Sequence, residues 1–271
     1  MNTNRTKSIL WWVFSLIFML SVAVYQRMTG PTYPARGSVE IENVKYKYKL
    51  LRSSNNDKDA RVEIEVPDGI TGFFKHKRYK SYDVWSVTDM QREGDVLVAY
   101  IPKQPAAGKV EYLITLVKND KVYSLTADPV IIRFKGVVPD FVLVPHVIFM
   151  FLAMVFSIRA GIEAIRKGNR LFNQTQSTVI FLFIGGLILG PIVQKYAFDA
   201  YWTGWPLGHD LTDNKTIAAF IFWAIALFQV MKKRPKANIW VIIASIVMLA
   251  VYLIPHSVLG SEIDYTQMPN Q

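Results

Sequence analysis

Five apolar stretches, at residues 9–25, 141–158, 178–193, 217–231 and 239–254, constrain this chain more than any other feature. Each runs to roughly 15–18 residues, at the short end of the ~20 a helix needs to cross a bilayer. Trp11, Trp12, Tyr196, Tyr201, Trp240 and Tyr252 stand at or near their ends, where amphipathic rings favour the membrane–water boundary. A hydrophobic content of 51% and a mean hydropathy of +0.20 are high for a soluble chain and agree with membrane spans. The expectation is a five-span membrane protein.

A formal charge of +10 raises the possibility of nucleic-acid binding, so the position of the charge matters. Arg5 and Lys7 precede the first stretch; Arg159, Arg166, Lys167 and Arg170, with Glu163 among them, separate the second from the third; Lys232, Lys233, Arg234 and Lys236 separate the fourth from the fifth. These segments hold nearly all of the excess, so nucleic-acid binding loses its main support. Short basic connections stay cytoplasmic. One assignment puts all three clusters on that side: amino terminus inside, carboxyl terminus outside, in a bacterial-type inner membrane. The first stretch reads as an uncleaved anchor, since "SVAVYQRMTG" has no clear small-x-small cleavage site; a signal peptide is the alternative. With no cysteine, the chain tolerates an oxidising compartment and has no thiol chemistry.

Between residues 37 and 134 the apolar period changes to two. "SVEIENVKYKYKLL" sets Val44, Tyr46, Tyr48 and Leu50 against Lys45, Lys47 and Lys49, and "ARVEIEVP" behaves likewise. Further strand-like runs are separated by the turn signals "SSNNDKD", "PDG", "REGD", "PAAG" and "NDK". About seven short strands are expected, in an immunoglobulin-like antiparallel β-sandwich with Trp85 as a candidate core aromatic. In "FFKHKRYK" the cations Lys75, Lys77, Arg78 and Lys80 surround His76; this reads as a solvated strand, with anionic glycans or head groups as the alternative. The organisation is then an anchor at 1–29, an extracytoplasmic sandwich at 30–138, a four-helix membrane part at 139–256 and an outer tail at 257–271.

On that topology the long loop 195–216, "KYAFDAYWTGWPLGHDLTDNKT", faces outward, and so do the three histidines outside the sandwich. His146 follows Pro145 about 8 Å into its span at 1.5 Å per residue. His209 lies in the loop and His256 follows Pro255 at the end of the last span. Local roles exist for the loop residues: Thr212 or Asp213 as N-cap of the fourth span, Trp202 and Trp205 as interfacial anchors, Gly204, Pro206 and Gly208 as turn formers.

Trp202, Gly204, Trp205 and Asp210, with His146 before them and His256 after, resemble the Trp-rich outer loop and flanking histidines of the heme-handling membrane proteins of cytochrome c biogenesis. That family's pattern is W-G-x-x-W-x-W-D; here Pro206 stands near the expected third Trp and Asp210 is displaced. The resemblance implies heme as cofactor, with His146 and His256 as axial ligands. Trp202 and Trp205 would form the platform, with His209 nearby and Lys195 or Lys215 toward the propionates. A divalent metal held by His146, His209, His256 with Asp210 or Glu262 is a second expectation. A third needs no cofactor: an envelope scaffold or assembly factor that binds another envelope protein through its sandwich, its spans packed through Gly185, Gly186 and Gly190. No Gly-rich phosphate loop, G-x-S-x-G elbow or H-E-x-x-H is present, so no enzyme class is indicated.

Overall fold

The computed structural model describes residues 2–255 and 262–267, with the backbone alone for 2–5. The chain divides into two compact units, one built from the helices and one from the strands.

The helical unit holds α1 (Asn2–Thr29), α2 (Asp140–Ile165), α3 (Leu171–Leu182), a π-helical segment (Phe183–Leu189), α4 (Gly190–Phe198), α5 (Leu211–Met231) and α6 (Ala237–Leu253). The third apolar stretch is thus one helical run, 171–198, widened in its middle. Four runs are long and apolar enough to cross a membrane: Thr6–Thr29, Asp140–Ile165, Leu171–Phe198 and Leu211–Met231. The fifth expected span, α6, has 17 residues. At 1.5 Å per residue it covers about 26 Å, somewhat less than the ~30 Å of a hydrocarbon core.

Small side chains let these helices approach. Ala153, Ala160 and Ala164 of α2, Ala219 and Ala226 of α5 and Ala244 of α6 are buried together around Trp223 and Val241. Between bilayer-facing helices, close van der Waals contact replaces the hydrophobic drive that water would supply. A Cβ on Gly161 would come within 2.9 Å of Ser245 Oγ, and that hydroxyl donates to the Ser157 carbonyl at 2.9 Å. The α2–α6 contact therefore depends on a missing side chain.

Helix α2 continues past 158, so Arg159 and Glu163 are part of it. Arg159 is 2% exposed and donates to Glu163 Oε2 at 2.7 Å. Glu163 Oε1 accepts the Arg170 N–H at 3.1 Å. Arg159 is therefore an interior group, held by a carboxylate four residues on, and not a lipid-contacting one.

The strand unit contains β1 (Ala35–Ile41), β2 (Val44–Leu50), β3 (Ser53–Asn55), β4 (Ala60–Glu65), β5 (Thr71–Arg78), β6 (Ser86–Asp89), β7 (Gln91–Glu93), β8 (Val96–Ile101), β9 (Lys109–Lys118), β10 (Lys121–Ser124) and β11 (Val130–Lys135). β1 and β2 form a hairpin over Glu42 and Asn43, both with positive φ, the geometry that suits strand twist in a two-residue turn. A six-stranded sheet runs β3-β11-β9-β5-β6 with β10 also on β9; a three-stranded sheet runs β4-β8-β7. Pairing is antiparallel except between β3 and β11. The excess over seven strands comes from short pieces: "SSNNDKD" and "REGD", expected as turns, supply β3 and part of β7.

The period-two pattern places the core as expected. Val62 and Ile64 of β4 meet Phe74, Ile114, Leu116, Ile132 and Phe134. Trp85 is not among them. It is half-buried and lies under Lys77 Nζ at 5.4 Å from its ring centroid. The core aromatics are Phe74, Tyr112 and Phe134, which sit at inward positions of long paired strands, whereas Trp85 precedes a short edge strand.

Candidate functional site

The connection between α4 and α5 is organised by one carboxylate oxygen. Asp213 is 6% exposed, and its Oδ2 accepts the Thr203 N–H at 2.6 Å, the Gly204 N–H at 3.0 Å, the Thr203 hydroxyl at 3.2 Å and the Gln194 side-chain amide at 3.1 Å. The first turn of α5 has unpaired N–H groups and a positive dipole end that favour an anion there. Asp213 adds donors from the incoming chain to that field. Gln194 of α4 also donates to Thr203 Oγ1 at 2.7 Å, which ties the loop to both flanking helices.

The N-cap of α5 is Asp210, not Thr212 or Asp213. Its Oδ1 accepts from Thr212 N–H at 2.7 Å and Asp213 N–H at 3.3 Å, and its own N–H donates to the Thr203 carbonyl at 3.0 Å. Asn214 Oδ1 takes the Trp205 N–H at 2.6 Å, and the Trp202 indole donates to the Trp205 carbonyl at 3.0 Å. The glycines serve approach, not turn geometry: a Cβ on Gly204 would lie 2.5 Å from Asp213 Cβ, and one on Gly208 2.3 Å from the Thr203 carbonyl oxygen. The sequence reading missed Gln194 and Asn214. The D-x-x-D-N spacing was the available signal, since it puts three acceptors on the first turn of a helix.

With its polar groups turned inward, the loop presents apolar ones. Trp205 is 68% and Leu207 78% exposed, and Tyr201 is exposed with Lys195 Nζ 5.6 Å from its ring centroid. His209 is also exposed. Lys215 is buried in α5 and donates to the Ile254 carbonyl at 2.6 Å, closing the end of α6.

His146 is half-buried in α2, and its Nδ1 lies 2.9 Å from the Gly185 carbonyl oxygen in the π-helical segment. Gly185 permits this approach, since a Cβ there would meet Phe149 Cβ at 3.0 Å and Met150 N at 3.1 Å. With Nδ1–H donating to that carbonyl, the second ring nitrogen, Nε2, carries the lone pair. The other axial position proposed for heme, His256, lies outside the described residues.

Two of the metal candidates are engaged elsewhere: Asp210 in the cap, and Glu262 in the strand unit, where its carboxylate bridges Lys80 and Lys109. Among the described residues no three His, Asp or Glu side chains converge as a metal site requires. Burial acts to raise the Glu262 carboxyl, but hydrogen bonds from Lys109 and then Lys80 outweigh it and hold the group below the usual carboxylate range. Beside it Tyr265 donates to Gln104 Oε1 at 3.0 Å and lies under the Arg78 guanidinium at 4.6 Å. The basic run "FFKHKRYK" is largely neutralised in the same way: Lys77 pairs with Glu111, Arg78 with Asp83 and Lys80 with Glu262. His76 stacks on Phe74 at 4.8 Å, and burial lowers its pKa.

The strand unit has its own exposed apolar feature. β6 ends the six-stranded sheet and pairs with β5 on one side; among the described residues no strand pairs with the other. Tyr82 and Val84, just ahead of it, are 85% and 87% exposed, and Val87 within it 55%. No protein-family model, curated protein or solved structure matches the chain.

Proposed function

We propose that this protein is an envelope scaffold of the bacterial inner membrane. Five spans, with the amino terminus cytoplasmic, would hold an extracytoplasmic sandwich of immunoglobulin-like type that captures an extended segment of another envelope protein on the β6 edge. The observation that carries this reading is the combination of an edge unpaired among the described residues with Tyr82, Val84 and Val87 in solvent. An open edge is a template for another strand, and native proteins usually blunt it with charge or cover it. Strand addition supplies main-chain hydrogen bonds, and alternate side chains on the edge supply selectivity. The Trp-rich loop supports the same protein differently. Its exposed Tyr201, Trp205 and Leu207 suit the headgroup boundary, where amphipathic rings anchor spans.

A photo-crosslinking amino acid at position 84 tests the proposal in intact cells. A discrete protein adduct is expected, abolished by the Tyr82→Asp and Val84→Asp pair and unaffected by His146→Ala. These positions are so exposed that charge there costs the fold little. No adduct at position 84, or one insensitive to the charge pair, would remove the edge as the docking site.

A second reading has a specific observation in its favour. Metal-ligating histidines commonly donate their other ring N–H to a backbone carbonyl, as His146 Nδ1 is placed to do toward Gly185. Heme, with His146 and His256 as axial ligands and Trp202 and Trp205 alongside, remains the cofactor proposal; a divalent ion would have to rely on imidazoles, since Asp210 and Glu262 have other partners. A Soret band in heme-supplemented, detergent-purified protein that disappears in His146→Ala supports heme. A colourless, metal-free sample refutes both versions.

A further inference from the structure

A cleft of about 460 Å³ opens where the start of α1 meets the end of α2, lined by Lys7, Leu10, Trp11, Phe14 and Arg166. Its size is within the ~300–1,000 Å³ of ligand pockets. Lys7, Leu10, Trp11 and Phe14 follow one another at helical spacing, so one stripe of α1 carries a cation at its end and apolar groups deeper. Trp11 meets Phe14 edge-to-face at 5.9 Å, and the Arg166 guanidinium lies 5.4 Å from the Trp11 ring centroid. Among the described residues neither Lys7 nor Arg166 forms an ion pair with a carboxylate. The acid one turn before Arg166, Glu163, feels the Arg166 charge but accepts its hydrogen bonds from Arg159 and the Arg170 N–H.

We propose that this cleft is a binding site for one anionic phospholipid, with the phosphate between Lys7 and Arg166 and the upper acyl chain along Leu10, Trp11 and Phe14. Two cations that hold no carboxylate in an ion pair among the described residues, at one end of an apolar wall, fit a ligand that is anionic at one end and hydrocarbon at the other. Basic pockets between membrane helices bind lipid head groups by this charge complementarity. The guanidinium offers a planar fork that meets phosphate oxygens in pairs, and its face rests on an indole, which orients it before the lipid arrives. A soluble phosphate has the charge but leaves the apolar wall unfilled.

Native mass spectrometry of the full chain, released from nanodiscs of mixed phosphatidylglycerol and phosphatidylcholine, tests this. One retained phosphatidylglycerol is expected, reduced at least 5-fold in the Lys7→Gln and Arg166→Gln pair. Lys232→Gln with Lys233→Gln, which removes the same charge from another connection, should leave retention unchanged. Glycerol 3-phosphate at millimolar concentration should fail to displace the lipid; complete displacement would mean a phosphate site and overturn the proposal. So would equal loss in the control pair, which would make the effect general surface charge. A second measurement does not depend on how the Lys7→Gln and Arg166→Gln pair folds. Brominated phosphatidylglycerol should quench the fluorescence that is lost in Trp11→Phe more than brominated phosphatidylcholine does, and equal quenching overturns the proposal.

Discussion

Replacing Asp213 by Ala should loosen the 199–210 connection without unfolding the helices around it. Four donors converge on one oxygen, two of them the backbone N–H groups of Thr203 and Gly204. A hydrogen bond to a charged group contributes about 1.5–3 kcal/mol. The four are not additive, because Gln194 and the Thr203 hydroxyl retain their mutual bond at 2.7 Å. Leaving the Thr203 and Gly204 amides orphaned therefore costs about 3 kcal/mol in local stability. At 1.4 kcal/mol per factor of ten, their hydrogen exchange should accelerate on the order of 100-fold. Asp213→Asn keeps an acceptor at the Oδ2 position and loses only the charge, so its acceleration should be nearer 10-fold. Exchange would be followed at these two amides by mass spectrometry of the protein in nanodiscs, with the α5 interior as internal reference. Unchanged protection of Thr203 and Gly204 in Asp213→Ala would refute the claim that this carboxylate organises the loop.

The remaining predictions concern buried charge and acid sensitivity. Glu163→Gln leaves Arg159 interior without its counter-charge and should destabilise the helical unit by about 3–5 kcal/mol; Arg159→Met combined with Glu163→Leu should cost less than the single change, as thermal unfolding in detergent would report. Because the folded-state pKa of Glu262 is depressed, its contribution is present above the ordinary carboxylate pKa of about 4.3 and is lost as pH falls through the lower folded value. A nitroxide at position 266 should accordingly be immobile at pH 7 and mobile at about pH 3, and Glu262→Gln should make it mobile at both. His76 acts at a higher pH: burial disfavours its protonated form, so stability of the strand unit should decline as pH drops below about 6.5, and His76→Gln should flatten that decline in a pH series of unfolding midpoints.

Much of the fold was legible because it rests on period and length. Apolar runs at 141–158, 178–193 and 217–231 became helices, and alternation in "ARVEIEVP" became β4 with every second residue buried. Helix ends were less legible, since they depend on caps. α5 begins at Leu211 because Asp210 collects the N–H groups of Thr212 and Asp213 in its first turn.

The candidate site was legible as composition and not as arrangement. An aromatic, acidic loop with two glycines between apolar helices could be read directly, but the partner of each acid could not. Asp210 is a cap and Asp213 a hub because the chain folds back so that Thr203 and Gly204 reach the end of α5, a contact between residues about ten apart that no local pattern encodes. Likewise the amino acids alone determined that Lys80, Lys109 and Glu262 are charged; only the tertiary structure brought a carboxylate more than 150 positions away between two lysines. Periodicity is a local property of the chain, fixed by backbone geometry. The matching of donors to acceptors is a property of the folded surface, and it exists only once distant segments have displaced the water between them.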